Sequence, residues 1–359
     1  MTIKAAVIGA SFAKAAYLPA LKQFDDVEIV AVSSARLDSA QDAASAFGVA
    51  HAYDDYRVML EKHAVDFVGI ATPTVHHAPM TLAALEAGAH VLCEKPMAMS
   101  ADEAHAMWDR AESLGRVHVI GHELRFNPNR RKIRDLIAAG HIGAIRHVNI
   151  TSISAMWGDP ASRPAGDWWS LGEMGGGRLG ANGSHQIDLL RYWLGDVGAV
   201  SGQVATMVAD RRDKQTGAAW TATADDQVSF MLEMQSGALV SVFLSGVARH
   251  TIGNSNLIFG SEGTIKLADA DEKLLVARAG EDYADLSETD PDAALPGVGK
   301  GIWNVSVVGM MREILSAIRE GRPTQTAATF ADGWRCQVVM DAIRQSWAER
   351  RWIEVRNRK

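Results

Sequence analysis

Ile3-Lys4-Ala5-Ala6-Val7-Ile8-Gly9-Ala10-Ser11-Phe12 opens the chain as a short apolar strand that runs into a glycine turn. Far downstream a second apolar strand, 89–93, closes on Glu94-Lys95-Pro96. Open parallel sheets hold their ligands at the carboxyl ends of their strands. If the two strands share a sheet, Gly9 and Lys95 therefore lie on the same edge. Pro96 limits the backbone just after the lysine. Gly9 is the first residue to examine for a nucleotide, and Lys95 the first for chemistry.

The intervening residues predict such a sheet. Apolar runs at 3–8, 27–33, 66–71, 89–93 and 117–120 alternate with helical patterns at 37–47, 56–62, 77–87 and 101–114. Strands alternating with helices of this length indicate βαβ units and a parallel sheet. Gly48 and Gly88 stand where helix-ending glycines are expected, and Ser100 is a suitable N-cap. After Gly121 the pattern changes. A polar stretch, 122–131, leads to a helix near 132–139 and then to longer runs at 145–153, 199–207, 227–234, 238–247, 256–259 and 264–267, with 274–277 as a further one. Few helices separate the later runs, so this half reads as a mostly antiparallel sheet. Helices at 184–194, 303–320 and 330–349 complete it, and the acidic segment 280–301 reads as a mobile loop.

A chain of 359 residues is long enough for two domains. Its net charge of -7 argues against a general nucleic-acid binder, which must neutralise phosphates. The only cysteines, Cys93 and Cys336, form neither a disulfide framework nor a metal-type spacing, which fits a reducing compartment. The first strand begins at residue 3, leaving no room for a signal peptide, and no apolar run reaches membrane-spanning length. The expectation is a cytoplasmic protein.

Against the dinucleotide fingerprint G-x-G-x-x-G, only the first glycine is present, with Ser11 and Lys14 in the other two places. Gly9 permits the tight turn; Ser11 is small and adds a hydroxyl. The helix that follows offers its first N–H groups, near Phe12, to a pyrophosphate. Alone this signal is weak. After the second strand come Ser33, Ser34 and Arg36, with no carboxylate before Asp38. An acid there would favour the ribose 2′-hydroxyl of NAD. Two hydroxyls and a guanidinium suit a 2′-phosphate better. The expected cofactor is NADP(H), with NAD(H) as the alternative and Arg36 as a solvated helix-entry residue in that case.

Taken together, Gly9 with Leu18-Pro19-Ala20-Leu21, Ala71-Thr72-Pro73 with His77, Glu94-Lys95-Pro96, Gly121-His122 and Arg125-Phe126-Asn127-Pro128 resemble the Gfo/Idh/MocA oxidoreductases. So do the run Gly175-Gly176-Gly177-Arg178-Leu179-Gly180-Ala181-Asn182-Gly183-Ser184-His185-Gln186-Ile187-Asp188 and the stretch Phe259-Gly260-Ser261-Glu262-Gly263-Thr264. Each piece is common, but the ordered set is specific and spans nearly the whole chain. The resemblance implies an α/β protein with an N-terminal Rossmann-type parallel sheet, residues 1–121, that binds NAD(P). A C-terminal α+β domain, 122–359, would carry a large, mostly antiparallel open sheet for substrate binding and oligomerisation, with its last helices free to pack back on the first domain. It further implies hydride transfer to or from a hydroxyl carbon of a sugar, cyclitol or related polyol. By position, Lys95 matches the family's catalytic lysine and His185 its histidine. Thr72, Pro73 and His77 match the segment beside the nicotinamide ribose. Ala181 stands where inositol dehydrogenase-like members carry an aspartate, which throws the proton work onto Lys95 with His185 assisting.

The residues themselves add detail. Glu94 can orient Lys95 or hold the cofactor. His185, Asp188 and Tyr192 recur at helical spacing as one polar stripe, with Ile187, Leu190 and Leu194 on a separate apolar face. Asn182 would at most bond substrate. The glycines Gly175–Gly177 are read as letting backbone pass close to a ligand. Arg125 and Asn127 follow the domain crossing as candidate substrate contacts, with a structural salt bridge equally open for Arg125. Trp168, beside Trp157 and Trp169, is a candidate stacking face, with a lid or subunit contact as its alternative. The adjacent pair His76-His77 is not metal-like, and no metal is expected. Two other functions share these features: NAD-dependent glycosidic cleavage through transient oxidation, and a non-catalytic NADP-binding regulator. The exposed faces of 227–234 and 238–247 predict a homodimer or larger assembly.

Overall fold

A computed structural model describes residues 2–268 and 272–355. The chain divides into two compact units, Met1–Asn127 with Thr289–Trp334, and Pro128–Glu288 with Arg335–Lys359.

The first unit holds a six-stranded parallel sheet of β1 (Ile3–Ile8), β2 (Val27–Ser33), β3 (His51–Tyr53), β4 (Phe67–Ile70), β5 (His90–Cys93) and β6 (His118–Ile120). Its order is β3-β2-β1-β4-β5-β6. Strand order reverses between β1 and β4, which makes that crevice the topological switch point. β4 is buried along its length because both faces of the sheet are covered, hence its unbroken apolar run. The connecting helices are α1 (Leu18–Leu21), α2 (Leu37–Phe47), α3 (Tyr56–Lys62), α4 (His77–Glu86) and α5 (Ala101–Ser113). Gly48 ends α2 with a left-handed φ of 64°, and the Ser100 hydroxyl caps α5 at the N–H of Glu103.

The second unit begins with α6 (Pro128–Ala138) and β7 (Ile145–Ile153). The helix expected near 132–139 starts four residues earlier, at Pro128, since proline is well suited to a first helical turn. There follow α7 (Ser184–Leu194), β8 (Val197–Ala205), a small hairpin of β9 (Asp210–Arg212) and β10 (Ala219–Thr221), β11 (Gln227–Met234) and β12 (Leu239–Ser245). Then come β13 (Gly253–Gly260), β14 (Gly263–Ala268), β15 (Lys273–Arg278), β16 (Ala284–Asp285) and, near the end, β17 (Ile353–Glu354). They form a nine-stranded sheet, β16-β15-β14-β13-β7-β12-β11-β8-β17. All its pairings are antiparallel except β7 with β12.

The segment expected as a loop, 280–301, is partly ordered. It contains β16 and a 3-10 turn at Pro291–Ala294, and Arg312 grips Asp292 through two bonds of 2.9 and 2.7 Å. Arg312 lies on α8 (Ile302–Glu320), which belongs to the first unit. The final helix, α9 (Phe330–Glu349), is shared between the units at Trp334/Arg335.

Candidate active site

Register places the functional row of the first unit. Ile8 pairs with Ser33 and with Ile70, Ile70 pairs with Cys93, and Cys93 pairs with Ile120. One residue further on, Ser34, Gly9, Ala71, Glu94 and Gly121 therefore leave the sheet side by side at its carboxyl edge. Backbone bonds continue the ladder there: Gly9 N–H to Ser33 O at 2.7 Å, Ala71 N–H to Ile8 O at 2.7 Å, Glu94 N–H to Ile70 O at 2.9 Å and Gly121 N–H to Cys93 O at 2.8 Å. Two strand spacings, about 10 Å, separate Gly9 from Lys95 along this edge. The two turns do share a sheet.

Gly9 has a φ of 108°, and a Cβ built on it would lie 2.1 Å from the Ala71 carbonyl oxygen. No other residue fits at the switch point. Helical backbone starts at Ser11 and includes a π-helical turn at Ala13–Tyr17. Its first backbone bond runs from Lys14 N–H to Ala10 O. The N–H groups of Ser11, Phe12 and Ala13 are thus helix-terminal donors at the crevice, suited to a pyrophosphate. The residues present fit a dinucleotide.

At the far end of this edge, Ser33 is buried at the end of β2, and the Ser34 N–H donates to Tyr53 O. The Arg36 side chain is 76% exposed, donates to Ser39 Oγ at 2.7 Å and lies 3.3 Å from Asp38. Phe12 stands edge-on to Tyr17, with ring centroids 5.7 Å apart.

Around the lysine the structure is dense. Lys95-Pro96 is a cis peptide. Beneath it the Glu94 carboxylate accepts the Tyr17 hydroxyl at 2.7 Å and the Lys95 backbone N–H at 3.2 Å. Burial raises the Glu94 carboxyl, while the Lys95 ammonium and the Tyr17 hydroxyl pull it back. Burial and the Glu94 charge raise the Tyr17 hydroxyl, so it remains a donor. Gly121 is required here as well, because its Cβ would sit 2.7 Å from Glu94 Oε1. Tyr17 had no signal in the sequence: the pair is 77 positions apart, and only the sheet joins them.

His77 is 1% exposed. Its Nδ1 lies 2.9 Å from Pro96 O and its Nε2 2.9 Å from Thr72 O. Burial lowers its pKa to about 4, against the opposing pull of those carbonyls. His90 and His118, whose Nδ1 atoms accept the N–H groups of Val117 and Phe330, are also lowered by burial. A histidine lowered in this way contributes stability above its unfolded value of 6.5, and that stability is lost as pH falls toward the folded value. Buried Glu94 and Asp225 are raised and oppose the trend, so the contribution is read by difference. Between pH 7.5 and 5, denaturant unfolding of His77→Gln should lose roughly 2 kcal/mol less than the parent. Equal losses would show that His77 carries no such contribution.

In the second unit, His185 and Asp188 are each 1% exposed. α7 begins at Ser184, as the spacing predicts, but the helical run starts earlier. A π-helical turn, Leu179–Gly183, runs directly into α7, and the Ser184 hydroxyl bonds back to Gly180 O at 2.7 Å. His185 thus stands well inside a continuous helical run. The start of that run is held by Asp225, whose carboxylate accepts the Leu179 N–H at 2.7 Å and whose carbonyl accepts the Arg178 N–H at 2.8 Å. Burial raises the Asp225 carboxyl. This cap comes from 46 residues away, so nothing local announced it. Asn182 accepts from Gln186 at 3.4 Å, and Tyr192, at the end of the expected stripe, accepts from Arg134 at 3.1 Å.

The glycine run serves the protein's own backbone. A Cβ on Gly176 would lie 2.4 Å from Trp168 O, and one on Gly177, with φ 111°, 2.3 Å from Asp225 Oδ1. Trp168 and Trp169 stack at 4.0 Å in a 3-10 turn above it. Arg125 is buried in the first unit, with Asp332 at 3.5 Å and Thr326 O at 3.4 Å, as a structural salt bridge would be. Asn127 is buried beside it, its N–H on Leu124 O. Thr72 directs its hydroxyl to Met80 Sδ, and Pro73 precedes the 3-10 turn Thr74–His76. Among the described residues, no group of three or more His, Cys, Asp or Glu could hold a metal ion, and no helix is long and apolar enough to cross a membrane.

Comparison with known proteins agrees with this geometry. Residues 3–122 match the model of the Gfo/Idh/MocA oxidoreductase family with its NAD-binding Rossmann fold, and residues 130–266 match the family's C-terminal domain. The chain is 29% identical over 352 residues to levoglucosan dehydrogenase of Pseudarthrobacter phenanthrenivorans, covering 90% of this chain and 88% of that protein. It is 28% identical over 248 residues to myo-inositol 2-dehydrogenase of Thermotoga maritima, covering 68% and 69%. A solved structure of levoglucosan dehydrogenase in complex with NADH and levoglucosan superposes over both full chains, with a TM-score of 0.89 at 27% identity. With both domain models matched in order and relatives that include sugar dehydrogenases, this chain belongs to the Gfo/Idh/MocA oxidoreductases.

Proposed function

We propose that the protein oxidises a hydroxyl carbon of a sugar, cyclitol or related polyol, or reduces the corresponding carbonyl, with Lys95 as acid/base group and His185 assisting. The nicotinamide, when bound, accepts the hydride from carbon. Lys95, as the neutral amine, takes the hydroxyl proton as the carbonyl forms; in reverse its ammonium returns that proton. The observation that carries this reading is the position of Lys95, which follows Glu94 on the row that also contains Gly9. Glu94 sits below it, held by Tyr17, and keeps the strand end in place. Trp168, Asn182, Asp188, Arg125 and Asn127 remain candidate substrate contacts. A screen of sugars and polyols for nicotinamide reduction tests the reaction class; no turnover across the set would refute it.

NADP(H) is preferred over NAD(H) in this proposal. Support comes from the end of β2, where Ser33 and Ser34 stand in place of a carboxylate and Arg36 presents an exposed guanidinium. A fluorescence titration should give NADPH at least about tenfold tighter than NADH, with the advantage lost in Arg36→Ala. Equal or tighter NADH binding would overturn the preference.

The protein is further proposed to be a cytoplasmic homodimer or larger assembly built on the nine-stranded sheet. Support for a reducing compartment is that Cys93 and Cys336 are free and buried. Support for assembly is the exposed face carrying Met231, Leu239 and Phe243. Light scattering is expected to give at least twice the chain mass, and a monomeric mass would contradict it.

A further inference from the structure

We infer that His77 is a positioning residue for Lys95, seating its ring between the carbonyl oxygens of Thr72 and Pro96 and donating its one N–H to one of them, so that it spaces the chain on both sides of the reacting edge. This rests on Lys95 as the acid/base group, and it gives His77 a role exerted on the lysine through the backbone. Ile70 pairs with Cys93 in β4 and β5, so Thr72 and Lys95, each two residues on, leave the sheet as neighbours. Beyond the sheet no ladder continues between them. The imidazole replaces it, spanning from Thr72 O to Pro96 O with both contacts at 2.9 Å.

The brace is rigid because His77 is the first residue of α4 and is 1% exposed. Buried carbonyls need partners, and without the ring one of the two would lose its donor and both would lose the side chain that spaces them. Pro96 lies directly after Lys95, so the braced carbonyl, that of the Pro96–Met97 peptide, is one residue beyond the lysine. The Lys95 charge is close enough to act on the ring, being among the causes that hold the imidazole neutral. The charge that acts on the lysine in turn is the Glu94 carboxylate, so a backbone shift that moves Lys95 relative to Glu94 alters the field at the amine.

The first readout is independent of which sugar is the substrate. Lysines of the full-length protein are reductively methylated with 13C-formaldehyde, and the Lys95 signal is assigned by its loss in Lys95→Arg. In His77→Ala the titration midpoint of that signal should move by ~0.5 pH unit or more, with His77→Gln intermediate. On any sugar that is turned over, kcat should fall about tenfold or more while KM changes less than about threefold. An unmoved Lys95 titration with unchanged kcat, whatever happens to thermal stability, would make His77 purely structural. Should His77→Ala fail to fold, the Gln variant carries the same two readouts. Lys95→Ala is assayed alongside. If it retains activity, the acid/base assignment of Lys95 fails; if it is inactive while His77→Ala behaves as the parent, only the bracing role fails.

Discussion

Lys95→Ala is expected to lower kcat by at least about a thousandfold while leaving nicotinamide nucleotide affinity within about threefold. That loss corresponds to ~4 kcal/mol of transition-state stabilisation. The scaffold around the position does not depend on the side chain. The backbone N–H of Lys95 is held by Glu94 Oε2, and the Pro96 carbonyl lies 2.9 Å from His77 Nδ1. Gly9 and the helix-terminal donors that suit the pyrophosphate lie two strands away on the same edge. Removing the amine should therefore remove proton transfer and little else. Lys95→Arg separates charge from proton transfer, since a guanidinium stays protonated at any working pH. It is expected to be nearly as inactive as the alanine variant. Steady-state kinetics with a nucleotide titration decides this, and a variant within tenfold of the parent would sink the assignment.

His185→Ala should cost about a hundredfold in kcat, with a smaller change in KM. The position four residues earlier is Ala181, whose N–H donates to Gly177 O, so the chain offers no carboxylate there to share the proton work. His185 is deeply buried on a helical run pinned at its start by Asp225. A pure packing role would lower thermal stability and the active fraction together. A functional role lowers the rate per folded molecule and alters the pH dependence of kcat. His185→Asn, which keeps a polar side chain of similar reach, helps separate these effects. An unchanged rate per folded molecule in both variants would leave His185 as a structural residue.

Much of the first unit was legible because its signals are local. Most strands are short apolar runs, α2 has its glycine stop and α5 its serine start, and the element order follows directly. The contacts that finish the site were not legible, because they form only through register. Tyr17 reaches Glu94, Gly121 makes room for the same carboxylate, and His77 spans the ends of two neighbouring strands. In the second unit the periodicity located α7 but misread its surroundings. Spacing put His185 and Asp188 on one polar stripe, but it did not show that both are buried. The glycine run looked like a ligand cradle, yet its closest approaches are to Trp168 and Asp225. Spacing reports which residues share a helix face, but what covers that face depends on elements distant in the chain.

The sequence by itself determined the order of strands and helices, the glycine turn, the lysine after the fifth strand and the histidine on its helix. Those follow from propensities and periods that act over a few residues. Only the tertiary structure decided which side chains close on one another: the row from Ser34 to Gly121, the Tyr17–Glu94 pair and the Asp225 cap. The reason is physical. Hydrogen bonds and burial between distant segments depend on strand order and register, and those are settled by the packing of the whole sheet.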